Sequence, residues 1–240
     1  MKRVVEPEWL DELPVDDPLA RGSRRDLRRI NAWMGNARIL ARQMQVTNPS
    51  PNSCRVLDLG AGDGQFMAEV AACLPGDWKG THLDLLDRRA VLSPDARRSF
   101  QNSGWTVRAL CAEVPDWFLQ EPSQRWTVIC ANLFLHHFVE DALRQLLRIV
   151  SERTSLFVAV EPRRSIFALL VSRLIALIGC NQVTRHDAAI SVRAGFACRG
   201  LSDLWADKKH WLLEERRAGL FSHLFIAKRI NHAAGVLTSV

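Results

Sequence analysis

Three glycines at alternate positions, Gly60, Gly62 and Gly64, follow the apolar run Val56-Leu57-Asp58-Leu59 and lead into the helical spacing Phe66, Val70, Leu74. A strand joined to a helix through such a turn lets a ligand lie against bare backbone. On the next predicted strand, Trp78 to Leu85, Asp84 stands close to where a ribose-binding carboxylate belongs, ~20 residues past the first glycine. Together these features read as a cradle for a nucleoside-bearing cofactor. The dinucleotide pattern G-x-G-x-x-G would put its third glycine at 65, but Gln65 stands there and the glycine comes one earlier. Hydride-transfer machinery is not evident either, so a nicotinamide enzyme is the weaker reading.

Histidines supply the candidate acid–base groups. His136 and His137 follow the fourth predicted strand in Leu135-His-His-Phe138, and an ordinary imidazole pKa of about 6.5 suits either to take a proton from an acceptor. The alternative is that the pair only shapes its loop. His186 beside Asp187 is a further candidate, although adjacent residues point to different sides of a helix and need not cooperate. His223, inside the last predicted strand, reads as a core or pocket histidine.

The elements that must hold these groups alternate strictly. After the glycine turn and the second strand come a helix near Pro94 to Asn102 and a strand Thr106 to Cys111. A short helix around Trp117, a strand Trp126 to Ala131, a helix Asp141 to Val150 and a strand Leu156 to Val160 follow. Such alternation predicts a doubly wound parallel sheet of about seven strands in an α/β, Rossmann-like fold. The alternation stops at Trp211 to Arg217 and Leu220 to Ala227, two strand-like runs separated by Ala218-Gly219, a link short enough only for an antiparallel hairpin. Ahead of the sheet, Leu27, Ile30, Met34, Ala37, Ala41 and Met44 recur at helical spacing behind a capping-box-like Ser23 and Asp26. The proline-rich break Thr47 to Ser53 separates this N-terminal helical cap, residues 1–48, from a core of residues 49–240 with a lid insertion at about 165–209.

The segment Asp58 to Gly64 resembles motif I of the class I S-adenosylmethionine-dependent methyltransferases, and His82-Leu-Asp-Leu85 resembles their second motif. The likeness runs through Ala131-Asn-Leu-Phe-Leu-His-His-Phe138 to Arg229. It implies S-adenosyl-L-methionine as cofactor and a mostly parallel sheet closed by one reversed strand. It also implies roles by position: Asp58 for the cofactor amino group or the glycine loop, and Gly60, Ala61 and Gly62 approaching through backbone. Asp84 would take the ribose hydroxyls, Leu85 would lie against the adenine, Glu113 would meet the adenine amino group, and Asn132 would stand beside the methionine moiety. The residues after the fourth strand, Ala131-Asn-Leu-Phe, differ from the Asn-Pro-Pro-Phe type used on nucleobase amines, and no Pro-Cys nucleophile exists. The resemblance is to small stand-alone bacterial enzymes of secondary metabolism. It implies methyl transfer to a small molecule, foremost a hydroxyl of a phenolic or polyketide-like metabolite, with carbon methylation of an activated ring or an RNA- or protein-binding module as alternatives.

Composition narrows the partners. The chain has 240 residues, enough for a full α/β core, and its 24% charged content is that of an ordinary globule. The formal net charge is +6, and arginines cluster between Arg21 and Arg42. Without exposed aromatics interleaved among them, they read as a solvated helix face and disfavour nucleic acid. Six cysteines show no C-x-x-C pair and no histidine at metal spacing, which predicts free thiols and no metal, with Cys111 and Cys130 packed in core strands. A charged start, Met1-Lys-Arg-Val-Val-Glu, predicts a cytoplasmic protein. The longest apolar run, Ile166 to Cys180, is shorter than the ~20 residues of a span and carries Arg173. It reads as a buried or pocket-capping helix, with peripheral membrane contact as the alternative.

Overall fold

The computed structural model describes residues 1–14, 16–47, 54–89 and 92–230. One seven-stranded sheet runs in the order β3-β2-β1-β4-β5-β7-β6, formed by β1 (Arg55–Leu59), β2 (His82–Asp87), β3 (Thr106–Cys111), β4 (Trp126–Asn132), β5 (Thr154–Pro162), β6 (Trp211–Ala218) and β7 (Ser222–Arg229). The first five strands are parallel, and β7 lies antiparallel between β5 and β6. The expected hairpin forms, although Ala218 ends β6 and the turn is residues 219–221, and its second strand is the reversed one.

The helices divide between the two faces. In chain order they are α1 (Trp9–Glu12), α2 (Pro18–Met34), α3 (Asn36–Thr47), α4 (Gln65–Cys73), α5 (Pro94–Ser103), α6 (Val114–Gln120), α7 (Glu140–Arg153), α8 (Ile166–Leu174) and α9 (Gln182–Ala194). Because side chains alternate along a strand, Val56, Leu83, Val128 and Val158 pack on one face with Leu40, Met44 and Val70 of α3 and α4. Leu57, Leu86, Ile129 and Phe157 pack on the other with Trp117 of α6 and Leu143 and Leu147 of α7. β1 and β4, which pair at the centre, are almost wholly buried. Both faces being covered explains why their sequences read as continuous apolar runs.

Several sequence-based boundaries move. The single helix expected behind Ser23 is two: α2 starts at Pro18, capped by the Asp17 carboxylate on the amides of Leu19 and Ala20, and stops at Gly35 with φ 70°. A left-handed residue cannot continue a helix, so α3 starts anew. Ser23 and Asp26 are buried mid-helix, where Asp26 accepts from the Asn181 amide and the Thr184 hydroxyl. Trp78 belongs to a 3-10 turn, and β2 begins at His82 and ends two residues beyond the expected Leu85. Cys111 is exposed on the edge strand β3, whereas Cys130 is buried as expected, and all six thiols are free. Most of the break Thr47 to Ser53, residues 48–53, lies outside the described residues.

Candidate cofactor and acceptor cleft

A cleft of about 550 Å³ opens at the carboxyl ends of β1, β2, β4 and β5, where the strand order reverses on either side of β1. Open α/β sheets bind ligands at such a switch point. Its floor is the glycine turn. The Gly60 and Ala61 amides both donate to the Leu86 carbonyl, which folds the turn back over β2. Gly60 has φ 73°, and a Cβ there would stand 2.3 Å from the Phe134 ring, so no side chain fits. Gly62, at φ 55°, would meet nothing within 4 Å, which leaves open space above bare backbone for a ligand.

The acid beside this turn is Asp87, not Asp84. Asp87 closes β2 and lines the cleft, accepting from the Gly62 amide at 2.9 Å and the Arg89 amide at 2.7 Å. A carboxylate has about four acceptor sites, so two remain for hydroxyls of a ligand. Asp84 lies mid-strand and buried, bound by Arg108 Nε at 2.8 Å and by the Trp126 indole N–H at 2.9 Å on the α6 face. It does not line the cleft, and its role is to satisfy that indole. Leu85 is likewise core, packed beneath Gly64, and Glu113 is the exposed residue preceding α6. Neither lines the cleft.

Asp58, Ala61 and Asn132 do line it. Asn132 Oδ1 accepts from Asn36 Nδ2 at 3.0 Å, which turns its amide nitrogen toward the open space. Asn36 in turn donates to Asn31 and accepts from Ser222, so a buried amide chain ties α2 and α3 to the site. Asp58 is buried, and burial pushes its carboxyl up to about 8, with the Cys130 thiol at 3.6 Å as its hydrogen-bond partner. A buried acid facing a cleft suits a positively charged ligand.

The histidines separate by environment. His136 is buried with Nδ1 2.9 Å from Glu161 Oε2 and Nε2 3.4 Å from Glu8 Oε1. Burial alone would lower the ring, but hydrogen bonds and charge from Glu161 and Glu8 raise it to about 9. Burial would likewise raise Glu8, yet the His136 bond and charge hold it at about 2. A histidinium with both ring N–H groups facing carboxylates has no lone pair to offer, which weighs against the expected role of His136 as a base. Glu161, at the end of β5 and fully buried, also accepts the amides of Phe134, Leu135 and His136. Leu133, at φ 51°, makes the sharp turn that aims these amides at it.

His137 faces the cleft, partly exposed, with Nδ1 3.7 Å from Asp11 Oδ2. Burial and the His136 charge hold its pKa below the ordinary value, so at neutral pH it keeps a lone pair. His186 lies outside the cleft-lining residues, stacked on Trp9 with ring centres 3.7 Å apart and bonded to Asp187 at 2.9 Å. Asp187 accepts the Trp9 and Leu10 amides at the start of α1, so this pair anchors the N-terminal segment. His223 is buried on Glu215 at 2.7 Å.

That N-terminal segment crosses the site. The Arg3 guanidinium donates to the carbonyls of Ala194, His136 and Phe138, and Arg88 and Arg89 reach back to Asp11 and Leu13. Asp87, Glu8 and Glu161 escaped the sequence reading. Glu161 had a signal, a lone acid before proline at the end of an apolar run.

Residues 56–154 match the family described as a methyltransferase domain. S-adenosylmethionine is the cofactor that goes with such a domain. The fold recurs in solved structures. One is a putative O-methyltransferase from Nostoc punctiforme, 15% identical, with TM-score 0.56, covering 81% of this chain and 56% of that one. A mitomycin 7-O-methyltransferase is 17% identical with TM-score 0.59 over 91% and 60% of the two chains. An aminodemethylriboflavin dimethyltransferase from Streptomyces davawensis is 13% identical with TM-score 0.56 over 93% and 62%. The chain thus spans about three-fifths of the length of these structures. No curated protein matches.

The residues present fit the cofactor of the methyltransferase domain. The open backbone at Gly62, the carboxylate of Asp87 at the end of β2 and the buried acid Asp58 suit, in turn, close approach, ribose hydroxyls and a cationic group.

Proposed function

We propose that this chain transfers a methyl group from S-adenosylmethionine to a small-molecule acceptor, a hydroxyl of a phenolic or polyketide-like metabolite. The observation that carries the reading is one cleft holding the Gly60–Gly62 turn and Asp87 at one side and a lone-pair-bearing His137 at the other. The O-methyltransferases among the structural relatives agree with it. When bound, the cofactor supplies a methyl group already activated on a positive sulfur.

The chain's part is alignment, exclusion of water and one proton. Gly60, Ala61 and Gly62 receive the cofactor on backbone, Asp87 takes the ribose hydroxyls and Asn132 orients the amino-acid end. His137 accepts the acceptor's hydroxyl proton as the new bond forms, steadied by Asp11. The segment 1–48, with Ser191 of the 165–209 stretch, closes the acceptor side and keeps water out. Mass spectrometry of cell extracts incubated with the protein and methyl-labelled cofactor tests this. Label in an organic-soluble phenol or polyketide supports the reading, and label confined to RNA, protein or a carbon atom replaces it.

The buried Glu8–His136–Glu161 triad gives a stability prediction. Glu161→Gln takes the buried anion from His136 and sets an NH2 donor among three amides that need an acceptor, so it is expected to cost about 3–5 kcal/mol in urea unfolding. The pH dependence follows from the signs. His136, raised to about 9, contributes stability fully below its unfolded pKa of about 6.5 and loses it as pH rises through 9. Glu8, held at about 2, contributes above its ordinary 4.5 and loses it as pH falls through 2. Thermal melting at a series of pH values should therefore decline between pH 6.5 and 9 in wild type and much less in His136→Gln.

A further inference from the structure

The stretch expected to be a pocket-capping helix faces outward. In α8 only Ala168 and Ser172 are buried, while Phe167 is 53% exposed, Leu170 55% and Leu177, in the following 3-10 turn, 82%. Ile166, Leu174 and Ile178 are exposed beside them. The surface continues without a break across the β6–β7 turn to α2. Phe167 stacks on Phe221 at 5.8 Å, Phe221 meets Trp33 at 5.2 Å, and Trp33 is 70% exposed. Exposed apolar residues scattered singly need no explanation, but a contiguous aliphatic and aromatic face of this extent marks a contact surface.

Charge says what covers it. No acidic residue occurs between Ile166 and Cys180, and Arg173 lies exposed on the same helix. Arg163 reaches to Leu220 in the β6–β7 turn, and Arg29 of α2 donates to the Ile178 carbonyl at 3.2 Å, so guanidinium groups stand at two sides of the apolar face. Beyond Arg29, α2 turns Arg21 and Arg25 to solvent, and its one acid, Asp26, is buried. An apolar face rimmed by arginine complements an anionic bilayer, into whose headgroup layer the hydrocarbon sinks while the cations meet phosphates. A symmetric second copy would bring the same arginine rim against itself. No described helix is long and apolar enough to cross a membrane, so the contact is one of lying on the surface.

We propose that α8, the Ile175–Ile178 turn, the β6–β7 turn and Trp33 form a docking face for an anionic lipid bilayer. The face begins four residues after Pro162, which lines the cleft, since α8 starts at Ile166. Docking stands independently of methyl transfer.

The test is flotation of the full chain with vesicles of phosphatidylcholine alone or with phosphatidylglycerol at one-third, at low and high salt. The expected result is flotation with the anionic vesicles, weakened by salt, and a tenfold or greater loss for Leu170→Glu/Leu177→Glu. Both positions are exposed, so melting and S-adenosylhomocysteine binding should remain those of wild type. The proposal is overturned by wild-type protein that stays unbound, by a double variant that floats as well as wild type, or by variant-sensitive self-association in sedimentation velocity without lipid binding.

Discussion

Asp87→Ala is expected to weaken S-adenosylhomocysteine binding about tenfold or more while the fold survives. A carboxylate hydrogen bond to a ribose hydroxyl is charge-assisted, and losing such bonds costs about 1.5–3 kcal/mol. The variant also frees the Gly62 and Arg89 amides, which loosens the glycine turn and adds to the loss. Asp84→Ala provides the contrast. It strands the Trp126 indole N–H and Arg108 on the far face, so unfolding should become easier by about 1–3 kcal/mol with little change in affinity. Calorimetric titration of both variants separates the two acids, and an affinity loss confined to Asp84→Ala would reverse the assignment.

The second large effect is on turnover. His137→Ala, assayed on an acceptor found by label transfer, should lower kcat about a hundredfold or more with cofactor affinity intact. Because burial and the His136 charge depress the His137 pKa, wild-type kcat should rise with pH below neutrality and level off near it. His137→Gln, similar in size and without a basic lone pair, should match the alanine variant. Wild-type turnover in both variants would reduce catalysis to alignment.

Much of the frame was legible in the residues. The strands β3 and β4 were readable because turns and prolines bracket short apolar runs, and the hairpin because Ala218-Gly219 leaves room for nothing else. The end of β2 was not. A strand buried on both faces has no alternation to mark where it stops, and Trp78, bulky enough for a strand, pulled the expected start toward the N-terminus. The motif then appeared to end at Asp84, when the acid at the strand's end is Asp87.

Roles set by distant partners were equally hidden. His136 looks like His137 in sequence, and only the packing of Glu161 and Glu8 against it separates a fixed cation from a free base. The apolar run from Ile166 carries no sign of which side faces in. A helix apolar all round ordinarily lies buried, and only the packing of α8 on α9 shows that most of it stays outside.

The central claim, a cleft built for S-adenosylmethionine on the Gly60–Gly62 turn and Asp87, is tested most directly by calorimetric titration of the purified chain with S-adenosylhomocysteine and, separately, with NAD. The expected result is one-to-one binding of S-adenosylhomocysteine and no heat with NAD. Binding of NAD in preference, or of neither, by folded protein would contradict it.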